Sequence, residues 1–348
     1  MHQHDAATRM EIGRRLAALK GLRFEAEFNP RRDYAGPLYF VPSDTILTEE
    51  AAALGITCEN HLFGGVVPHP FVATKAITHA VVDPAAETPR GWSHRFARHT
   101  EGSVIEGFTA FTTGDAIRAG RQLLKRGPLR IKPVLATSGR GQIIIQDDDE
   151  LLRQLDAMDA TLLSEFGVVL EEHLGEVATY SIGLVHLDDL LISYVGTQQT
   201  TLNSRGEEVY GGSELLVARG GFDALLALDL PQPIRLAVIQ ASQFDAAALE
   251  CFPGLFASRR NYDVIQGVNC RDRRCSGVLE QSWRLGGATG AEIAAMESFR
   301  RDPDLKRVCA TTVERYGGKA RIPEGATVYF EGTDDVEGPM IKYATAAR

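Results

Sequence analysis

No stretch of the sequence approaches the roughly 20 consecutive apolar residues that a membrane-spanning helix needs, so no membrane partner is expected. The N-terminal residues MHQHDAATRMEIGRRL lack the apolar core of a secretory leader. Cysteine is scarce, with 5 in 348 residues. An odd, sparse set suits a reducing, cytoplasmic setting better than a disulfide framework. The nearest pair, Cys270 and Cys275 in CRDRRC, has no further Cys or His at finger spacing, so zinc is not expected. Basic residues are outnumbered, 37 Lys and Arg against 46 Asp and Glu, and the net charge of -9 argues against non-specific nucleic-acid binding. Also missing are the Walker loop, the dinucleotide fingerprint G-x-G-x-x-G, the serine-hydrolase elbow G-x-S-x-G and the zincin motif H-E-x-x-H.

What is present is ordinary globular material, 44% apolar and 24% charged, in a chain long enough for two or three lobes. Over 8–21, Met10, Ile12, Leu16 and Leu19 recur at helical spacing. GPLYFVPSDTI (36–46) reads as a strand and a turn, with Ser43 or Asp44 capping a helix through TEEAAALG that Gly55 ends. Residues 1–80 thus form an N-terminal α/β unit. A second unit, 81–165, holds an amphipathic helix within 97–127, the stretch LRIKPVLATSGRGQIII (129–145), and a helix over 147–158 with acidic residues at its start. A third, 166–348, is strand-rich. Strands are expected at 167–175, through 176–202 with a hairpin at Asp188–Asp189, and at 259–269, 276–283 and 324–333. Helices are expected near 232–250 and from Thr289, while the polar, glycine-rich 203–222 reads as a loop. The fold class is α/β in the mixed, α+β sense.

Four stretches carry candidate chemistry. Lys132 sits in an apolar strand before the small-residue loop ATSGRGQ, whose backbone N–H groups suit a polyphosphate; an edge-strand lysine beside a turn is the plain alternative. In LEEHL (170–174), Glu171 and Glu172 face opposite sides of a strand, so one of them points into any cleft there. Asp263 and Glu280 each lie in an apolar strand; on neighbouring strands they repel unless a cation joins them, and Mg2+ takes such oxygen ligands. A salt-bridge network with Arg284 is the alternative. LGGATGAE (285–292) offers backbone N–H groups to a carboxylate, or a capping box of Thr289 with Glu292.

Taken in order, these stretches resemble the ATP-grasp superfamily over roughly 70–295, and an uncharacterised bacterial family within it. The resemblance implies an ATP-grasp fold with residues 1–80 as a pre-grasp domain, and ATP and Mg2+ as cofactors. It places Lys132 and the loop containing Ser138, Gly139 and Gly141 on the phosphates, Lys75 as a second ATP contact, and Glu171, Glu172 and Leu174 about adenine and ribose. The family pattern E-x-N-x-R falls on Glu280, Ser282 and Arg284, with serine departing from asparagine. Asp263 is the partner metal ligand, with Asn269 as the alternative. Arg284 and Lys132 take catalytic roles, and Arg259, Arg260, Arg284, Gly286 and Gly287 substrate-binding ones; Arg205, Glu214 and Arg219 are further acceptor contacts. The activity implied is an ATP-dependent carboxylate–amine or carboxylate–thiol ligase, acting on small molecules through an acylphosphate; the oligomeric state is left open, with a homodimer as the candidate. Ser282 keeps open a non-catalytic nucleotide-binding or regulatory protein on the same fold.

Overall fold

The computed structural model of the chain describes residues 3–135, 141–317 and 321–347. Helix α1 (Gln3–Leu19) buries Ile12 and Leu16, as its periodicity requires. The strand expected over 36–46 does not form. Pro37 and Pro42 remove ladder donors, and only an isolated bridge from Phe40 to Leu62 remains before the two-residue β1 (Ile46–Leu47). Helix α2 (Thr48–Ala53) is capped neither by Ser43 nor by Asp44. Instead the Leu47 N–H donates to Glu50 Oε2 at 2.9 Å, and Gly55 leaves the helix at φ +72. Strand β2 (Gly65–Val67) follows.

The next segment holds α3 (His94–His99), β3 (Gly107–Ala110), α4 (Thr113–Leu124), β4 (Leu129–Pro133), β5 (Ile143–Ile145), α5 (Asp148–Asp156), α6 (Ala160–Phe166) and β6 (Val168–Glu172). Thr112 Oγ1 caps α4 through the Asp115 N–H at 3.1 Å, and Asp147 Oδ1 caps α5 through the Glu150 N–H at 2.8 Å. Ala116, Ala119, Leu123, Leu151 and Leu155 of the two helices pack on Leu129, Ile131 and Leu170 of a four-stranded sheet, order β3-β6-β4-β5. Strand β6, past residue 165, pairs with β3 and β4 in this small sheet.

The large lobe runs β7 (Gly175–Leu187), β8 (Leu190–Leu202), β9 (Glu208–Arg219), α7 (Phe222–Leu226), α8 (Gln232–Cys251), β10 (Phe256–Ala257), β11 (Arg259–Val268), β12 (Arg274–Ser282), α9 (Thr289–Arg301), β13 (Arg307–Tyr316), β14 (Thr327–Asp334) and β15 (Gly338–Ala347). Its sheet has eight strands in the order β12-β11-β7-β8-β9-β13-β15-β14. The hairpin at Asp188–Asp189 is present, with Asp188 left-handed at φ 55. The expected loop at 203–222 is instead mostly β9, paired between β8 and β13, whose Leu215 and Val217 alternate into the core beneath α9. Helix α8 covers the opposite face, against Tyr262 and Val264. Strand β10 pairs with β2, so the N-terminal unit completes its small sheet with a strand of the large lobe. Among the described residues no helix is long and apolar enough to cross a membrane.

Candidate functional site

Antiparallel pairing of β11 and β12 sets Asp263 opposite Glu280 and Asn261 opposite Ser282. Positions two apart on a strand share a face, so these four side chains make a square on one face of the sheet. Asp263 Oδ1 is enclosed and has no hydrogen-bond partner. Burial, and then the neighbouring Glu280 carboxylate, push the Asp263 pKa up to about 7. Glu280 Oε2 meets Lys75 Nζ at 2.7 Å, and that lysine is buried. Lys75 opens a short 3-10 turn, Lys75–Thr78, started by Thr74 Oγ1 accepting the Ala76 N–H at 3.2 Å.

The small lobe supplies a second cluster. Glu171 pairs across with Arg130 on β4, and Lys132, two residues on, shares that face. Lys132 Nζ forms an ion pair with Glu171 Oε1, and His79 Nε2 lies 3.3 Å from Glu171 Oε2. All three side chains are buried. Burial pushes the Glu171 pKa up, but Lys132 and His79 outweigh it and hold the carboxyl below its ordinary range. Opposite Glu171 stands Gly107, where a Cβ would lie 2.8 Å from the His79 ring, so the missing side chain leaves room for the imidazole. His79 is a residue the sequence reading missed; its signal is its place directly after the KAIT turn.

The strap from Lys75 to His79 joins both clusters. Thr78 Oγ1 donates to the Leu279 carbonyl of β12 at 3.1 Å, and Thr109 Oγ1 of β3 donates to the Ala76 carbonyl at 2.7 Å. Gln281 Nε2 donates to the carbonyls of Val72 at 2.8 Å and Thr74 at 2.7 Å. Lys75 and His79, four residues apart, therefore bring Glu280 with Asp263 and Glu171 with Lys132 into one cleft.

Several sequence assignments are corrected. Arg259 is no substrate anchor: it is 1% exposed and binds Glu292, with Nη2 2.8 Å from Oε1. Glu292 is accordingly not a capping-box acid; it is fully buried and also accepts the Tyr194 hydroxyl at 2.6 Å. Arg260 faces the other side of the sheet, against Asp245 of α8 at 3.1 Å. Asn269, the alternative metal ligand, lies in the β11–β12 turn and not on the carboxylate square. Its Oδ1 accepts the N–H groups of Arg271 and Arg273 in the β11–β12 turn, and its Nδ2 donates to Glu172 at 3.2 Å. Glu172 therefore points away from Glu171, toward a pocket lined by Arg126, His173 and Arg273 on the back of β6, remote from the carboxylate square. Arg205 is paired with Glu207 and Glu337, Glu214 with Gln199, and Arg219 with the Phe299 and Leu305 carbonyls.

The other assigned residues have the following surroundings. Arg284 is half-exposed, with Nε 3.4 Å from Asp44 Oδ1. Gly286 donates its N–H to Thr289 Oγ1 at 3.0 Å, and Gly287 lies under Tyr210, whose ring leaves no space for a Cβ. Leu174 is buried where β6 passes into β7, between the two sheets. Ser138 and Gly139 lie outside the described residues, and Gly141, at φ +70, is beside Pro133. Among the described residues no three His, Cys, Asp or Glu converge on one point. Two carboxylates with an unpartnered, enclosed oxygen between them do fit Mg2+, which keeps several waters and shares substrate phosphates.

Three solved structures resemble this chain. The biotin carboxylase domain of Hydrogenobacter thermophilus 2-oxoglutarate carboxylase, in complex with MgADP, ADP and bicarbonate, has a TM-score of 0.51 at 12% identity, covering 86% of this chain and 67% of that one. Campylobacter jejuni biotin carboxylase, in a complex described as β-γ-ATP, has a TM-score of 0.50 at 11% identity, with the same coverage of 86% and 67%. N5-carboxyaminoimidazole synthase from Aspergillus clavatus, in complex with ADP and 5-aminoimidazole ribonucleotide, has a TM-score of 0.40 at 16% identity, covering 72% of this chain and 66% of that one. This chain thus spans about two thirds of the length of each. The neighbours are ATP-grasp enzymes, and the chain has the ATP-grasp fold. No curated protein matches. A family model described as "Protein of unknown function (DUF3182)" matches residues 1–344.

Proposed function

This chain belongs to the DUF3182 family, and on its ATP-grasp frame we propose an ATP-dependent ligase that activates a small-molecule carboxylate as an acylphosphate for attack by an amine or a thiol. The observation that carries the reading is the strap holding Lys75 against Glu280 and His79 against Glu171, so that two buried lysines, one paired with the half-buried Glu280 and one with the buried Glu171, are tied to one short segment. A buried lysine paired with an acid is poised to exchange that acid for a phosphate. Lys132 and Lys75 would each turn to nucleotide phosphates. Glu171 would then accept the adenine amino group, with the main chain at Leu174 beside the ring. Asp263 and Glu280 would hold Mg2+, which when bound neutralises phosphate charge and fixes the phosphoryl group for transfer. Arg284, with its guanidinium half-exposed, would hold the substrate carboxylate, and the loop through Ser138, Gly139 and Gly141 would exclude water from the acylphosphate. Positioning and charge neutralisation supply the rate, so no cysteine or serine nucleophile is needed.

Ser282 favours a second reading, a nucleotide-binding protein without turnover, because a serine hydroxyl is a shorter and weaker ligand than an amide carbonyl. ADP release across a panel of carboxylates and amines separates the two. The ligase reading expects acceptor-stimulated, Mg2+-dependent release that D263N and E280Q each abolish while circular dichroism stays unchanged. Wild-type release in both variants ends the metal assignment; ATP binding that is indifferent to Mg2+, with no acceptor stimulating release, selects the non-catalytic protein.

A further inference from the structure

Two carboxylates give a divalent cation its charge but not its neutral protein ligand, and the square on β11 and β12 offers two candidates, Ser282 and Asn261. Asn261 is 7% exposed. Its Nδ2 donates to Ser181 Oγ at 2.7 Å, to the Tyr194 hydroxyl at 3.0 Å and to the Ile182 carbonyl at 3.4 Å. A carbonyl oxygen only accepts, so this end of the amide is the nitrogen. All three partners lie on β7 and β8, on one side of β11. An amide is planar with its oxygen and nitrogen diverging, so Oδ1 is turned away from them, on the face that Asn261 shares with Asp263, Glu280 and Ser282. Among the described residues no hydrogen bond reaches that oxygen. It sits two residues from Asp263, whose enclosed Oδ1 also has no partner. An amide held by its nitrogen, with an accessible oxygen that no protein group donates to, beside a carboxylate whose enclosed oxygen has no partner, is a ligand pair suited to a cation.

We propose that Asn261 is the neutral oxygen ligand of the divalent cation held by Asp263 and Glu280, and that Ser282 lies outside the inner coordination; the assignment rests on the ATP–magnesium reading above. The surrounding structure holds the amide still. The Tyr194 hydroxyl that receives Nδ2 donates in turn to Glu292, and Glu292 is clamped by Arg259. This buried network anchors Asn261 from behind as supporting hydrogen bonds anchor ligands in other metal sites.

The test is Mn2+ binding to the full chain, followed by electron paramagnetic resonance with and without β,γ-imido-ATP. N261A should weaken Mn2+ by about tenfold or more, whereas S282A should change it by less than about twofold. N261D, which keeps an oxygen in place, should hold Mn2+ at least as well as wild type, and it decides the matter if N261A fails to fold. The proposal is overturned if S282A costs as much as N261A, if N261A binds normally, or if folded N261D loses the ion. Wild type that binds the analogue but no Mn2+ overturns this assignment and leaves the nucleotide reading standing. Wild type that binds Mn2+ through Asn261 but no analogue does the reverse.

Discussion

Lys132 has two tasks that one substitution disturbs together and two separate. It offsets the buried Glu171 carboxylate now and would meet a phosphate later. K132A leaves Glu171 enclosed with His79 as its remaining polar partner among those named, and breaking a buried pair from one side costs about 3–5 kcal/mol. Losing a charge-assisted bond to ATP should also raise its Kd by about tenfold or more. K132M/E171L replaces both charges by apolar groups and should recover most of the stability in urea denaturation, while calorimetry still finds ATP binding lost. Recovery of ATP affinity in the double variant would remove Lys132 from the nucleotide site. At this scale the type and strand context of Lys132, Glu171, Asp263 and Glu280 were legible, because buried charge in an apolar run is rare. Partnerships were not. Glu292 fits a capping box in sequence, and only the arrival of Arg259 from 33 residues away gives it a different task.

The first helix depends on one distant acid. The His4 N–H in α1 donates to Asp334 Oδ2 at 3.0 Å, and the N–H groups of Val336 and Glu337 donate to Oδ1 at 2.9 and 3.1 Å. Burial pushes the Asp334 pKa up, but these backbone donors outweigh it and hold the carboxyl well below its ordinary range. A depressed folded-state pKa adds stability that is fully present above the unfolded value, about 3.9, and is lost as pH falls. D334N should therefore lower Tm at pH 7, and the gap from wild type should narrow as pH drops below about 4. A gap that is constant with pH would mean that the carboxylate charge contributes nothing. Elements with clean periodicity, such as α1, α4 and α8, were readable in sequence. The failures have physical causes: two prolines spoil the strand expected at 36–46, and glycines and charges disguise β9, whose inward residues are recognisable only beneath α9.

The molecule holds its cleft together through the strap that crosses from β3 to the β12 edge. Gln281 lies on the side of β12 away from Glu280 and touches no proposed ligand, yet it binds the carbonyls of Val72 and Thr74 just before Lys75. Q281L would leave those carbonyls unpaired, costing about 1–3 kcal/mol. It should also weaken ATP binding several-fold by loosening Lys75, although no cleft residue has changed; undiminished ATP affinity would detach the strap from the site. By itself the sequence determined the fold class, the order of the motifs and the carboxylate pair on two apolar strands, because strand alternation and rare buried charges are local properties. Tertiary structure alone decided which charges face one another. It bound Arg259 to the buried Glu292, turned Arg260 and Asn269 away from the carboxylate square, brought His79 in, and set Asn261 opposite Ser282. Register between strands is fixed by packing and pairing across the whole sheet, and no window of sequence contains it.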